Sequence, residues 1–509
     1  MAYLKKNWSI LFGVIVALSS SVQAQNLEKF EENVTEFTLD NGLHFIVVER
    51  PVAPVASFVT FVDVGGADEP AGQTGIAHIF EHMVFKGSKT VGTTNWEEEQ
   101  EVIDRMDAAY SAWVEEKNSP YPEEEKMAEY WADFEKYQEK ANSYVITNQF
   151  DEIISREGAT HLNARTSYDF TDYFYSLPQN RAELWFSLES DRFQNPVFRE
   201  FYEEKDVIME ERRMRVDSDP FGRLFEEFLG VAYSAHPYGR PLVGWPSDIE
   251  TTTIKDTEAF YRRYYTNENF TFAIVGDVDA GRMRELAETY FGSIEPTGTA
   301  PSVTTKEPPQ RGERRFVIEE ESQPILIAGY HTVDQLHDDF AALTLLASIL
   351  SDGRTSRLYS RLVQDEQQAL AVQAVTGFPA IKYNSMFVLF ALPNQGVDID
   401  DLEKAIFEEI EKVKEGDIQQ AELDRAITNA RAGLVRGLNS NLGLAMNLAR
   451  THGQTGDWRN LFTNLEALEQ VTLEDLKQVA NTYFIKSNRT VGKIINIPAD
   501  GPAVNSNEN

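Results

Sequence analysis

Gly75-Ile76-Ala77-His78-Ile79-Phe80-Glu81-His82-Met83-Val84-Phe85 is the stretch on which the reading of this chain turns. Three polar residues stand in an otherwise apolar run, so the segment predicts a buried helix. Residues four apart share one face of a helix, and His78 and His82 can therefore reach a single ion. Glu81 borders that face, where it can hold and deprotonate a metal-bound water. Buried imidazoles and carboxylates without partners are costly, and a metal ion supplies the partner. The order H-x-x-E-H reverses the H-E-x-x-H pattern of zinc-binding helices.

Two imidazoles do not complete such a site, because a catalytic zinc usually takes three protein ligands and keeps one position open. The chain contains no cysteine, so the third donor must be a histidine or a carboxylate. His44, His161, His236, His331, His337 and His452 show no matching spacing. Better candidates lie on a helix predicted over residues 200–216: Glu203, Glu204, Glu210 and Glu211. Glu204 and Glu211 are two turns apart and share a face edged by Val207 and Ile208, whereas Glu210 points elsewhere, beside Arg213.

Working outward, residues 34–49 alternate around Asn41-Gly42 as a hairpin does, and 57–64 reads as a strand ending at Gly65-Gly66. The His78 helix should stop near Gly87. Residues 97–147 look like a helical hairpin broken at Pro120 and Pro122. Its outside is charged and its inside aromatic (Tyr110, Trp113, Tyr130, Trp131, Phe134, Tyr137), and its glutamates read as a solvated face. Residues 160–177 return to strand, 181–192 to helix, and 270–275 to strand. Residues 296–312, rich in Pro, Thr and Gly, form the predicted linker. Residues 253–275 and 473–495 then echo each other as helix, aromatic pair and strand, which suggests two related α+β halves.

These signals divide the chain into a leader (1–24), an N-terminal domain with the metal motif (25–295, carrying the insertion 97–147), a linker (296–312), a related C-terminal domain without that motif (313–498) and a tail (499–509). At 509 residues two domains or more are expected. Hydrophobic content of 42% and charged content of 25% are those of a globular protein. A net charge of −35 argues against nucleic acid as a partner. Lys5 and Lys6, the apolar run 10–18 and Val22-Gln23-Ala24 have the form of an export signal with Gln25 as mature start. That run is too short to span a bilayer comfortably. The expectation is an exported, periplasmic or secreted protein without a stable membrane anchor.

Three motifs in order give the chain a resemblance. His78-x-x-Glu81-His82, then Asn163-Ala164-x-Thr166-Ser167-x-Asp169-x-Thr171-x-Tyr173, then Glu204-x-x-Val207-Ile208-x-x-Glu211 resemble the pitrilysin/insulysin peptidases, inverzincins that include the mitochondrial processing peptidases and bacterial relatives. The resemblance covers nearly the whole mature chain. It implies an α+β fold of two related halves, each a mostly antiparallel sheet packed with helices. It implies one Zn2+ per chain, held by His78, His82 and Glu211, with Glu81 as base. Glu204 would hydrogen-bond a ligating histidine, and the strand at Asn163 and Ala164 would take up an extended peptide substrate.

The implied activity is zinc-dependent hydrolysis of peptides or unfolded segments. The alternative is a non-catalytic assembly subunit that keeps the fold. Family members also hold substrate with an Arg and a Tyr from the second half or a partner subunit. A helix predicted over 356–371 shows neither residue where they would align, and Arg357, Tyr359 and Arg361 read as ordinary helix-surface residues. The implication is a dimer, and more specifically a heterodimer whose related partner supplies Arg and Tyr.

Overall fold

The computed structural model describes residues 30–497. The leader 1–24 and the tail 499–509 lie outside the described residues. Two mixed sheets form the frame. The first contains β1 (Val34–Thr38), β2 (His44–Glu49), β3 (Val55–Val62), β4 (Thr160–Thr166), β5 (Thr171–Pro178) and β6 (Phe270–Gly276). The second contains β7 (Arg314–Glu320), β8 (Ile325–His331), β9 (Ala369–Phe378), β10 (Met386–Pro393) and β11 (Arg489–Asn496). The helices used below are α1 (Ile76–Met83), α2 (Trp96–Lys117), α3 (Glu124–Asn142), α4 (Phe201–Arg212), α5 (Pro220–Ala232), α6 (Ile254–Tyr264), α7 (Asn441–Thr455) and α8 (Leu473–Tyr483).

The strand orders are β1-β2-β6-β3-β5-β4 and β7-β11-β8-β10-β9. Without β1, the first order superimposes on the second strand for strand. In each, one parallel pair (β2 with β6, β7 with β11) adjoins a run of antiparallel pairs. The halves are therefore related in topology, and each sheet is mostly antiparallel, as expected.

The sequence echo has a local cause. α6 and α8 both begin with a capping box, Thr253 with Asp256 and Thr472 with Asp475. Each threonine hydroxyl donates to its aspartate at 2.7 Å. Beyond each helix an asparagine folds back on the last turn: Asn269 Nδ2 donates to Tyr264 O at 2.8 Å, and Asn488 Nδ2 to Tyr483 O at 2.9 Å.

The sheets divide at residues 296–312, but the helices do not. α5 lies in the first half, yet its Leu224 and Phe228 are buried with Ile325, Ile327, Val388 and Ile494 of the second sheet. In return, α7 buries Leu444, Ala445, Leu448 and Ala449 against Ile46, Val59, Phe61 and Val275 of the first. Gly453 permits this approach, since a Cβ there would lie 2.2 Å from the Phe61 ring. Each half thus completes the core of the other.

The predicted hairpin is present as α2 and α3. Of its six aromatics only Tyr110 and Phe134 are buried, and Trp131 is 37% exposed. Contrary to expectation, residues 356–371 are not one helix. Helical turns end at Asp365, and Ala369 begins β9, which pairs with β10. Arg357 and Arg361 are not free surface residues either. Both reach Glu409, Arg357 at 3.2 Å and Arg361 at 3.4 Å, and Arg357 also pairs with Glu422 at 2.8 Å.

Candidate metal centre

α1 is built to be buried. Ile76, Ala77, Ile79 and Phe80 are fully enclosed; Phe80 stacks on Tyr261 at a ring-centroid distance of 5.0 Å and meets Tyr265 edge-on at 4.6 Å. The helix starts at Gly75, whose φ of +88° favours glycine. A Cβ there would also meet Val243 O at 2.5 Å. The buried Glu69 caps this start, accepting from Gly75 N and Ala77 N at 3.0 Å each.

One turn apart, His78 and His82 present rings 4.9 Å apart at 89°. α4 supplies Glu211, whose Oε2 lies 3.5 Å from His78 Nε2 and 3.8 Å from His82 Nε2. Those gaps are too long for hydrogen bonds. They are close to the ~3.3 Å edge of a tetrahedron whose donors stand about 2.0–2.1 Å from a central ion. The other oxygen of Glu211 is held by Arg215 at 2.8 Å. Glu204 Oε2 lies 2.9 Å from His82 Nδ1, and its Oε1 pairs with Lys86. A proton on Nδ1 shared with Glu204 leaves Nε2 free to bind. His78 Nδ1 is buried and has no such partner.

The electrostatics ask for a cation. Burial and the neighbouring His82 push the His78 pKa down to about 3, so this ring keeps its lone pairs. Burial also disfavours the His82 imidazolium, but the hydrogen bond and charge of Glu204, with Glu81 and Glu211, more than reverse this. Burial raises the Glu81 pKa, against the hydrogen bond from Thr166 and the charge of His82. Three carboxylates thus converge on two imidazoles in a shielded place. A divalent ion satisfies that demand, and the residues fit zinc.

Glu81 faces an open cleft of about 820 Å³ lined by His78, His82, Asn163, Ala164, Thr166 and Val207, among others. Among the described residues, every one that lines the cleft comes from the first half. Asn163 and Ala164 lie on β4, the edge strand of the first sheet, paired with β5 on one side only. Asn163 Oδ1 accepts from Ala164 N at 2.9 Å. Of the other glutamates weighed above, Glu203 accepts from Asn142 at 2.8 Å and Glu210 from Arg213 at 2.8 Å.

Thr166 has a role that its place in the second motif does not reveal: its Oγ1 donates to Glu81 Oε2 at 2.5 Å. The support of α4 by the hairpin is likewise not visible in the sequence, because it joins residues 95 positions apart. Tyr202 donates to Asp107 at 2.7 Å, and its ring lies 4.1 Å from that of Tyr110. Buried Lys205 donates to Tyr110 Oη at 3.1 Å and to the carbonyls of Glu250 and Thr252 at 2.8 and 2.7 Å.

An inverted H-x-x-E-H helix completed by a glutamate from a second helix, on a frame of two repeated sheets, has the architecture of the zinc-protease class. Two models of one family match the chain: "Insulinase (Peptidase family M16)" over residues 44–121 and 139–245, and "Peptidase M16 inactive domain" over 251–430. The chain belongs to the insulinase family, peptidase family M16. The unmatched residues 122–138 are most of α3. The chain is similar to the zinc protease PqqE of Helicobacter pylori, 29% identical and covering 94% of this chain and 95% of that protein. A crystal structure of a protease from Helicobacter pylori matches with TM-score 0.76 and 27% identity, over 91% of this chain and 99% of that one. The periplasmic protease PqqL from Escherichia coli matches with TM-score 0.65 and 18% identity, over 92% of this chain and 48% of that one.

Proposed function

We propose that this protein is a zinc-dependent endopeptidase acting on peptides or unfolded segments. The observation that carries the reading is the convergence of His78 Nε2, His82 Nε2 and Glu211 Oε2, with Glu81 beside them at the cleft. A bound zinc ion would acidify a water and polarise the scissile carbonyl. Glu81 takes the water's proton and hands it to the leaving amine. Thr166 holds the Glu81 carboxylate in position, and Glu204 holds the His82 ring. An extended substrate adds to the free edge of β4 by main-chain hydrogen bonds, displacing the Asn163 side chain from Ala164 N.

The reading includes a dimer, with a related partner that supplies the Arg and Tyr. Two observations support it: the cleft is lined from one half alone, and this fold spans about half of a longer chain of the same architecture. It also includes export to the periplasm. No helix among the described residues is long and apolar enough to cross a membrane.

The test is Glu81→Gln. The variant should keep its zinc and lose peptidase activity by roughly 10²-fold or more. Equal activity in the variant removes Glu81 as base. A zinc-loaded wild type inactive on unfolded protein, alone and with its co-purified partner, favours the assembly-subunit alternative.

A further inference from the structure

His44 and His452 lie face to face, ring centroids 3.8 Å apart and planes within 4°. His44 opens β2, while His452 sits in the last turn of α7, the second-half helix that covers the first sheet. Glu36 of β1 completes the group: one ligand atom from each of the three lies within 4.8 Å of the others. His44 Nε2 and His452 Nδ1 are buried and have no hydrogen-bond partner. A buried polar atom without a partner is costly, and two in one ring stack call for a ligand.

The surroundings orient these donors. Thr38 Oγ1 stands 2.9 Å from His44 Nδ1, which leaves Nε2 as the nitrogen able to bind. Trp458 Nε1 donates to Glu36 Oε2 at 2.9 Å, and Arg459 reaches Glu36 Oε1 at 3.4 Å. Burial and the adjacent His452 push the His44 pKa down to about 4, and burial lowers that of His452. Both rings are therefore neutral near pH 7 and keep their lone pairs.

We propose that Glu36, His44 and His452 form a second divalent-metal site that fastens α7 to the first sheet. Two imidazoles and one carboxylate select a borderline transition ion such as Zn2+ over Mg2+ or Ca2+. Lone pairs lie in the ring plane, so two parallel rings must tilt out of their stack to meet one ion. None of the three residues lines the cleft. The ion would therefore act on the packing of the halves rather than on the chemistry.

The full-length protein, stripped with chelator, is reloaded with Zn2+ near neutral pH and desalted, and metal per chain is counted. Two equivalents are expected in the wild type and one in His452→Phe, which keeps the ring stack and removes the nitrogens. His78→Ala should also hold one equivalent, and zinc should still raise its melting temperature. That rise should vanish when His452→Phe is added. A single wild-type equivalent that His452→Phe leaves in place overturns the site, as does an undiminished zinc effect in the double variant. Glu36→Gln, at an exposed position, repeats the count should His452→Phe not fold.

Discussion

The hydroxyl of Thr166 donates to Glu81 Oε2 at 2.5 Å, so strand β4 and helix α1 share the carboxylate on which the proposed chemistry depends. Thr166→Val removes a hydrogen bond to a charged group, worth about 1.5–3 kcal/mol, and kcat/KM should fall roughly ten- to a hundredfold. That bond opposes the burial that raises the Glu81 pKa. A base must be ionised to act, so the acid limb of the pH–rate profile should move to higher pH in the variant. An unmoved limb would mean that Thr166 does not touch the base during turnover.

Glu204 orients His82 but lies outside the ligand triad. Glu204→Gln should weaken zinc retention by roughly 10- to 100-fold, read by competition with a chelator. Unchanged retention would leave Glu204 as only a partner for Lys86.

The hairpin formed by α2 and α3 leans on the helix that carries Glu211. The Phe134 ring lies 5.0 Å from that of Tyr202 on α4. Phe134→Ala should cost about 3–5 kcal/mol of stability, seen as a lower urea midpoint, and zinc retention should fall with it. A destabilised variant that holds zinc as tightly as the wild type would uncouple the hairpin from the metal centre.

Stability should also depend on the His44–His452 stack. Folding holds both pKa values below the ordinary 6.5, that of His44 at about 4. Between those values the unfolded chain takes up protons that the folded one refuses. The contribution is therefore present above pH 6.5 and lost as pH falls towards 4. With chelator present, His44→Phe should flatten that part of the urea-midpoint curve. An identical slope would show that the stack does not set it.

Much of the frame was legible because it is local. Alternation around Asn41-Gly42 depends on neighbours in the chain, as does the four-residue spacing of His78 and His82. The echo of residues 253–275 in 473–495 is local too, and the structure traces part of it to capping boxes at Thr253 and Thr472 that act within one turn. The helix expected over 356–371 failed because its second part is claimed by pairing with β10, and long-range pairing overrides a short periodic signal. Glu211 came from a resemblance between motifs, because nothing in the spacing alone separates it from Glu204.

By itself the sequence determined that a two-histidine helix with an internal glutamate sits in an apolar setting, and that two similar halves follow one another. Only the tertiary structure decided that α5 and α7 exchange sheets, that Thr166 meets Glu81, and that His44 stacks on His452. The physical reason is that an amphipathic face or a lone histidine carries no address. Which surface it covers is settled by the burial of both partners at once.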